Sequence, residues 1–234
     1  MTFPSVGVKP HKSSPLTIWP ITCSINELDT HMKAKFISLC CLFASNSKPP
    51  PETILKPFVD QTISLFKEGF VWCDATGRKH KTKVMFCLCV ADAPARAMFC
   101  NVTQFNGAFG CGHCLHPGSR ARQGKGTVQV YDVLYPLPCL REQNSMLMHA
   151  EEAVDKGEPV FGVKGPTSLY RIPNFDLARG LVPVPDIMHG LFLGVHQQFT
   201  NLWNKTRTSL CYIQDFGRKI DLVLKTICPP DDLP

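Results

Sequence analysis

Val84-Met85-Phe86-Cys87-Leu88-Cys89-Val90-Ala91-Asp92-Ala93-Pro94-Ala95-Arg96, followed after a short gap by Gly110-Cys111-Gly112-His113-Cys114-Leu115, is the stretch that decides the fold. An apolar run ends in one carboxylate, Asp92, and then in Pro94, a residue suited to the first turn of a helix. The pattern predicts a buried strand over Val84–Ala91 that delivers Asp92 to its carboxyl end, with a helix starting behind it. Ligand and metal sites of open α/β sheets gather at such ends. A plain helix N-cap explains Asp92 as well, and on spacing alone the cap is the stronger reading.

Working outward, Thr2–Val8 and Leu16–Ile25 are β-prone segments separated by a polar turn, and Lys35–Ala44 is a near-continuous apolar strand. After Pro49-Pro50-Pro51, residues Glu52–Glu68 place Ile54, Leu55, Phe58, Val59, Ile63 and Phe66 at helical spacing, and Gly69 closes the helix. Phe70–Val90 reads as two β segments around a basic turn, Ala75–Lys81. Antiparallel strands followed by βα units indicate a mixed α/β sheet. From Phe105 to Arg179 glycine and proline become frequent and periodicity fades, apart from a helical patch at Ser145–Lys156. Structureless length on this scale is usually functional or ligand-stabilised. Helical pattern returns over Ile187–Trp203 and Tyr212–Ile227. The expected organisation is a core over 1–104, a loop-rich insertion carrying Cys-x-x-Cys over 105–182, and a helical segment over 183–234.

The 234 residues can bury one substantial core. A net charge of +6 is compatible with a nucleic-acid partner and too mild to demonstrate one. No apolar run reaches membrane-spanning length, and the first twenty residues lack a secretory pattern, so an intracellular protein is expected. Most of the twelve cysteines sit in apolar runs, among them Cys40, Cys41, Cys87 and Cys89, which predicts buried, reduced thiols.

Three constellations could carry chemistry. Cys111 and Cys114 have the spacing by which a tight turn brings two thiolates onto one Zn²⁺, with Gly107, Gly110 and Gly112 permitting the turn. His113, His116, Cys139 and His189 are candidates for the remaining ligands, and two free buried thiols is the competing reading. Asp186 and His189 open the helix after the insertion, where, taken alone, a cap and a satisfied polar group are the stronger explanation. The run Arg78-Lys79-His80-Lys81-Thr82-Lys83 could track a phosphate backbone through Arg78, Lys79, Lys81 and Lys83, with Arg120, Arg122 and Lys125 forming a second cluster. Most charge runs are solvated turns.

Taken together, several segments give the chain a wider likeness. They are Ser13-Ser14 with Ile18-Trp19-Pro20-Ile21, Ile25-Asn26-Glu27-Leu28, Leu55-Lys56-Pro57-Phe58-Val59-Asp60, Asp92-Ala93-Pro94-Ala95-Arg96, and Phe105-Asn106-Gly107 leading into Cys111 and Cys114. Val163-Lys164-Gly165-Pro166 and Asp186-x-x-His189-Gly190 complete the set. In this order the chain resembles the transposases of the CACTA (En/Spm-like) DNA transposons. The resemblance implies an RNase H-like mixed sheet, interrupted by the Cys-containing insertion and incomplete at the C-terminus. Three acidic residues on that sheet serve two-metal phosphoryl transfer with Mg²⁺ or Mn²⁺ on DNA, in the nucleus. Asp92 matches the second catalytic Asp, and Asp186 with His189 matches the family's Asp-x-x-His signature. Val6 stands where the first Asp is expected, and the final Glu is expected beyond Pro234. One carboxylate cannot hold two divalent ions, so a transposase-derived chain that does not cut DNA is expected. The alternatives are a nuclease completed by flanking segments and a zinc-stabilised interaction module.

Overall fold

Trp19, Ile21 and Cys23 alternate with Ile18, Pro20 and Thr22, and that period of two gives their strand one buried face. The structure, a computed structural model, describes residues 2–4, 7–11, 13–180 and 187–226. The chain divides into two compact units, Met1–Val184 and Pro185–Pro234.

The first unit is mixed α/β. Its elements in order are β1 (Thr2–Pro4), β2 (Thr17–Cys23), α1 (Thr30–Lys35), β3 (Ser38–Ser45), α2 (Pro51–Lys67), β4 (Phe70–Cys73), β5 (Lys79–Thr82), β6 (Leu88–Val90), α3 (Ala93–Phe99), β7 (Ser119–Gln123), β8 (Gly126–Val130), α4 (Gln143–Lys156), a 3₁₀ turn (Ser168–Arg171) and α5 (Leu177–Gly180). The second unit holds a π-helical segment, Ile187–His196, running into α6 (Gln197–Asn204), and then α7 (Phe216–Leu224).

Strand order follows from the pairings. β2 lies antiparallel to β3, with Trp19 opposite Phe43, and a register shift falls between Ile21 and Thr22. On the other side of β2, Ile18 and Val8 exchange two backbone hydrogen bonds of 2.8 Å in an antiparallel bridge. β1 runs parallel to β6, Thr2 opposite Leu88 and Pro4 opposite Val90. The strands thus form separate two-stranded sheets, β2–β3 antiparallel and β1–β6 parallel, with β4–β5 and β7–β8 as hairpins, and the Val8–Ile18 contact is an isolated bridge. A parallel pair needs a long crossover, and the chain from β2 through α2 to the β4–β5 hairpin supplies it.

α2 forms for the reasons its sequence gives. Ile54, Leu55, Phe58, Val59 and Thr62 make one buried stripe, and Pro51 sits at its first turn, where a missing N–H costs nothing. Gly69 follows with φ +71°, the left-handed geometry that ends helices, and a Cβ there would strike the Thr82 carbonyl. The buried stripe joins Trp19, Ile21, Phe86, Cys89 and Phe99, and the core is completed from beyond residue 105 by Met146, Leu169, Ile172, Phe175 and Leu177. Thr167 donates to the Phe99 carbonyl at 2.7 Å, Ser168 bonds Glu52, and Arg171 pairs with Asp60 at 2.7 Å. Residues 105–180 thus close the same core that residues 1–104 begin.

Several expectations need correction. The strand expected at Lys35–Ala44 starts at Ser38, because Asp29 caps a short helix over Thr30–Lys35 by accepting from Met32 N at 2.9 Å. Of Val84–Ala91 only Leu88–Val90 is paired as a strand. The basic run is not a turn: the turn is Asp74–Arg78, and Lys79 and Lys81 lie on β5. The region expected to be loop-rich contains the β7–β8 hairpin, whose strands Ser119–Gln123 and Gly126–Val130 offer only Ala121, Val128 and Val130 as apolar residues, too short a pattern to announce them. Cys40 and Cys87 are exposed and Cys41 half-buried, whereas Cys89 is buried as expected. β3 carries Leu39 and Leu42 on an exposed face, so an apolar run here does not mean burial on both sides. The last helix spans Phe216–Leu224 rather than Tyr212–Ile227. Among the described residues no helix is long and apolar enough to cross a membrane.

Candidate functional site

Asp92 directly follows the strand-end residues Val90 and Ala91 and sits at the mouth of α3. Its Oδ1 accepts from Ala95 N at 2.8 Å with extended backbone (φ −64°, ψ 165°), and its carbonyl accepts from Arg96 N at 2.8 Å. That is N-cap geometry, in which the carboxylate satisfies one of the orphan donors of the first turn. Among the described residues no group of three His, Cys, Asp or Glu side chains converges on a metal-sized point. A two-metal centre needs several bridging oxygens, and a single carboxylate already committed to a cap does not fit that requirement. Val6 and Asp186 lie outside the described residues, as does the His189 side chain.

The cysteine pair is better formed. Cys111 Sγ and Cys114 Sγ face one another at 3.5 Å, and His113 N–H points at Cys111 Sγ at the same distance. Two thiolates on a tetrahedral zinc at 2.3 Å would stand about 3.8 Å apart, so the pair is spaced for one ion. Gly110 matters through crowding: a Cβ there would collide with the Gln104 carbonyl and lie 2.8 Å from the Tyr131 hydroxyl. Tyr131 donates to Gly107 O at 2.5 Å and accepts from Gly110 N at 2.9 Å, which pins the turn before the cysteines. The segment lies against 139–141 through Leu115 N to Cys139 O (2.8 Å) and Arg141 N to His113 O (2.9 Å).

The other proposed ligands separate on chemistry. His116 is buried, with Nδ1 accepting from Gly118 N and Nε2 donating to Asp132 O, both at 2.8 Å, so neither ring nitrogen is free for a metal. His113 is pushed below its ordinary value by partial burial and by the nearby Arg96 charge, which favours neutral imidazole. Cys139 is exposed and follows the same backbone ladder. Burial pushes Cys114 up, so a metal or another cation is needed to ionise it near neutral pH.

Sequence reasoning missed Arg141. It is 7% exposed, and its guanidinium donates to three carbonyls: Nε to Cys111 (2.9 Å), and Nη2 to Phe109 (2.6 Å) and Phe161 (3.0 Å). Nη1 is enclosed without an acceptor. No local pattern flags a lone Arg after Leu140, because its partners lie twenty to thirty-two residues away along the chain.

The basic residues are also placed. Arg78, Lys79, Lys81 and Lys83 are exposed around the β4–β5 hairpin, while Arg120 and Arg122 project from the β7–β8 hairpin. Asp74 organises the first hairpin by accepting from Thr76 and Arg78 backbone N–H groups and from His80 Nε2 at 2.8 Å. His80 stacks on Trp72 at 4.7 Å. Compared with protein-family models, with curated proteins and with solved structures, the chain matches none of them.

Proposed function

We propose that this chain is a transposase-derived protein of the CACTA kind, built on an RNase H-like sheet, that contacts DNA without cutting it. The observation that carries the reading is the set of pairings: β3 antiparallel to β2, Val8 bridged antiparallel to Ile18, and β1 parallel to β6, with Asp92 two residues past the end of β6; the reading takes these separate pairs as parts of one sheet order. An RNase H-like sheet requires that order and puts its second catalytic Asp at that strand end. The segments that resemble the family supply the rest of the argument, since they recur in family order along the chain.

Non-cleavage follows from the carboxylates. The resemblance assigns Val6 to the first acidic position, and Asp92 is engaged as a cap. Mg²⁺ demands near-octahedral oxygen coordination, and these residues do not provide it. Cys111 and Cys114 fit a zinc ion that would fasten the insertion, with His113 and Cys139 as the candidate further ligands within the same unit. A zinc-stabilised interaction module without DNA contact is the second reading, favoured by the 3.5 Å sulfur pair.

DNA association separates the two. Contact through Arg78, Lys79, Lys81 and Lys83 would be sequence-independent and salt-sensitive, with log K falling against log salt by about 0.9 per phosphate contact. Replacing all four with Gln should flatten the slope by roughly 3 to 4 in a fluorescence-anisotropy titration of duplex DNA. Absence of binding at 50 mM salt, or a slope unchanged by the four substitutions, would favour the interaction module.

A further inference from the structure

α3 and the cysteine turn line a cavity of about 310 Å³ that the reading above leaves without an occupant, although Cys111 borders it. Its size is at the lower end of small-molecule sites. Its apolar walls include Ala97, Val102, Phe105, Met146 and Leu177, and its polar lining includes Arg96, Gln104, Tyr131 and Arg141. Among the described residues no Asp or Glu lines it.

Two guanidiniums without an acid is an unusual balance for an enclosed space. Arg141 is buried, and neither it nor Arg96 makes an ion pair with a carboxylate among the described residues. Buried charges are ordinarily paired, and an unpaired one costs several kcal/mol as an order of magnitude. The three carbonyls on Arg141 orient its fork but bring no negative charge, and Nη1 remains without an acceptor. Cys100 lines the same space, and burial pushes its thiol up to about 12, so it stays neutral and does not compensate either arginine. Arg96, Arg141 and Cys100 all line this one cavity.

We propose that this cavity binds a phosphate-type oxyanion between Arg96 and Arg141, its remaining bulk packed on the apolar walls. A phosphate monoester brings close to two negative charges at neutral pH, matching two guanidiniums, and planar forks suit its oxygens. A monocarboxylate would neutralise only one.

The test is isothermal titration calorimetry of the full chain with inorganic phosphate, with a 5′-phosphorylated mononucleotide, and with acetate at matched ionic strength. Saturable binding of one phosphate-bearing ligand per chain is expected, weakened at least tenfold by Arg96→Gln and unchanged by Arg171→Gln, whose ion pair with Asp60 lies outside the cavity. Arg96 is the residue to change because Arg141 also holds three loop carbonyls. Equal binding of phosphate and nucleotide would mark the free anion as the ligand, and tighter nucleotide binding would mark a phosphate carried on a nucleoside. Acetate binding as tightly as phosphate, no saturable heat from either phosphate ligand, or full affinity in Arg96→Gln would overturn the proposal.

Discussion

Replacing Asp92 with Ala separates a helix cap from a metal ligand at the one position both readings claim. The side chain accepts a single 2.8 Å hydrogen bond from Ala95 N, and the helix it caps has only seven residues, of which Ala95, Ala97 and Phe99 are buried. Loss of such a cap costs about 1 kcal/mol, within a range of roughly 0.5–2. In a chain of this size that lowers Tm by about 2–4 °C. Asn and Ser keep an acceptor and should cost a few tenths of a kcal/mol at most, given their near-equal capping preference. Urea unfolding followed by circular dichroism, with and without Mg²⁺, reads all three variants. A ligand-binding carboxylate would instead give wild-type protein a metal-dependent rise in stability that follows RT ln(1 + [L]/Kd). An Ala variant as stable as wild type would refute the cap. So would an Asn variant as damaged as Ala, or a Mg²⁺-dependent Tm rise abolished by Asp92→Asn.

The remaining expectations concern the two turns. Hydrogen bonds from Thr76 and His80 hold the Asp74 carboxyl down to about 2, below its ordinary value. A depressed acid contributes stability above its unfolded value of about 4 and loses it as pH falls through that value toward the folded one. Amide shifts of the β4–β5 hairpin should therefore show a transition with its midpoint near pH 2 in an NMR titration and lose it in Asp74→Asn; an unchanged transition would assign it elsewhere. Purified protein should carry stoichiometric zinc that disappears in the Cys111→Ser, Cys114→Ser double variant, as read by metal analysis. Equal metal content in both would leave two free thiols.

What was legible in the sequence divides along a physical line. α2 could be read because Ile54, Leu55, Phe58 and Val59 bury one stripe and Gly69 ends it, a local pattern with a local cause. The cap at Asp92 was equally open to reading, since the acceptor and the donor it serves are three residues apart. The helix at Thr30–Lys35 was not, because it buries no side chain and is specified by the Asp29 cap alone. The β7–β8 hairpin escaped because its alternation is short and weak, with only Ala121, Val128 and Val130 apolar between Arg120, Arg122 and Gln129. Exposure of Cys40 and Cys87 depends on which face of a strand another element covers, which composition does not encode. At the site, the spacing of Cys111 and Cys114 announced their meeting, whereas Arg141 and the acid-free cavity depend on contacts between segments far apart in sequence.

Nicking of supercoiled plasmid tests the central claim most directly. Cleavage by this chemistry requires two divalent ions held by the protein at the reacting phosphate, and the proposed reading offers Asp92 alone to hold them. The purified 234-residue chain, incubated with plasmid in Mg²⁺ and separately in Mn²⁺, is expected to leave the supercoiled form intact, and Val6→Asp alone should not start cutting. Metal-dependent nicking that is lost in Asp92→Asn would contradict the account.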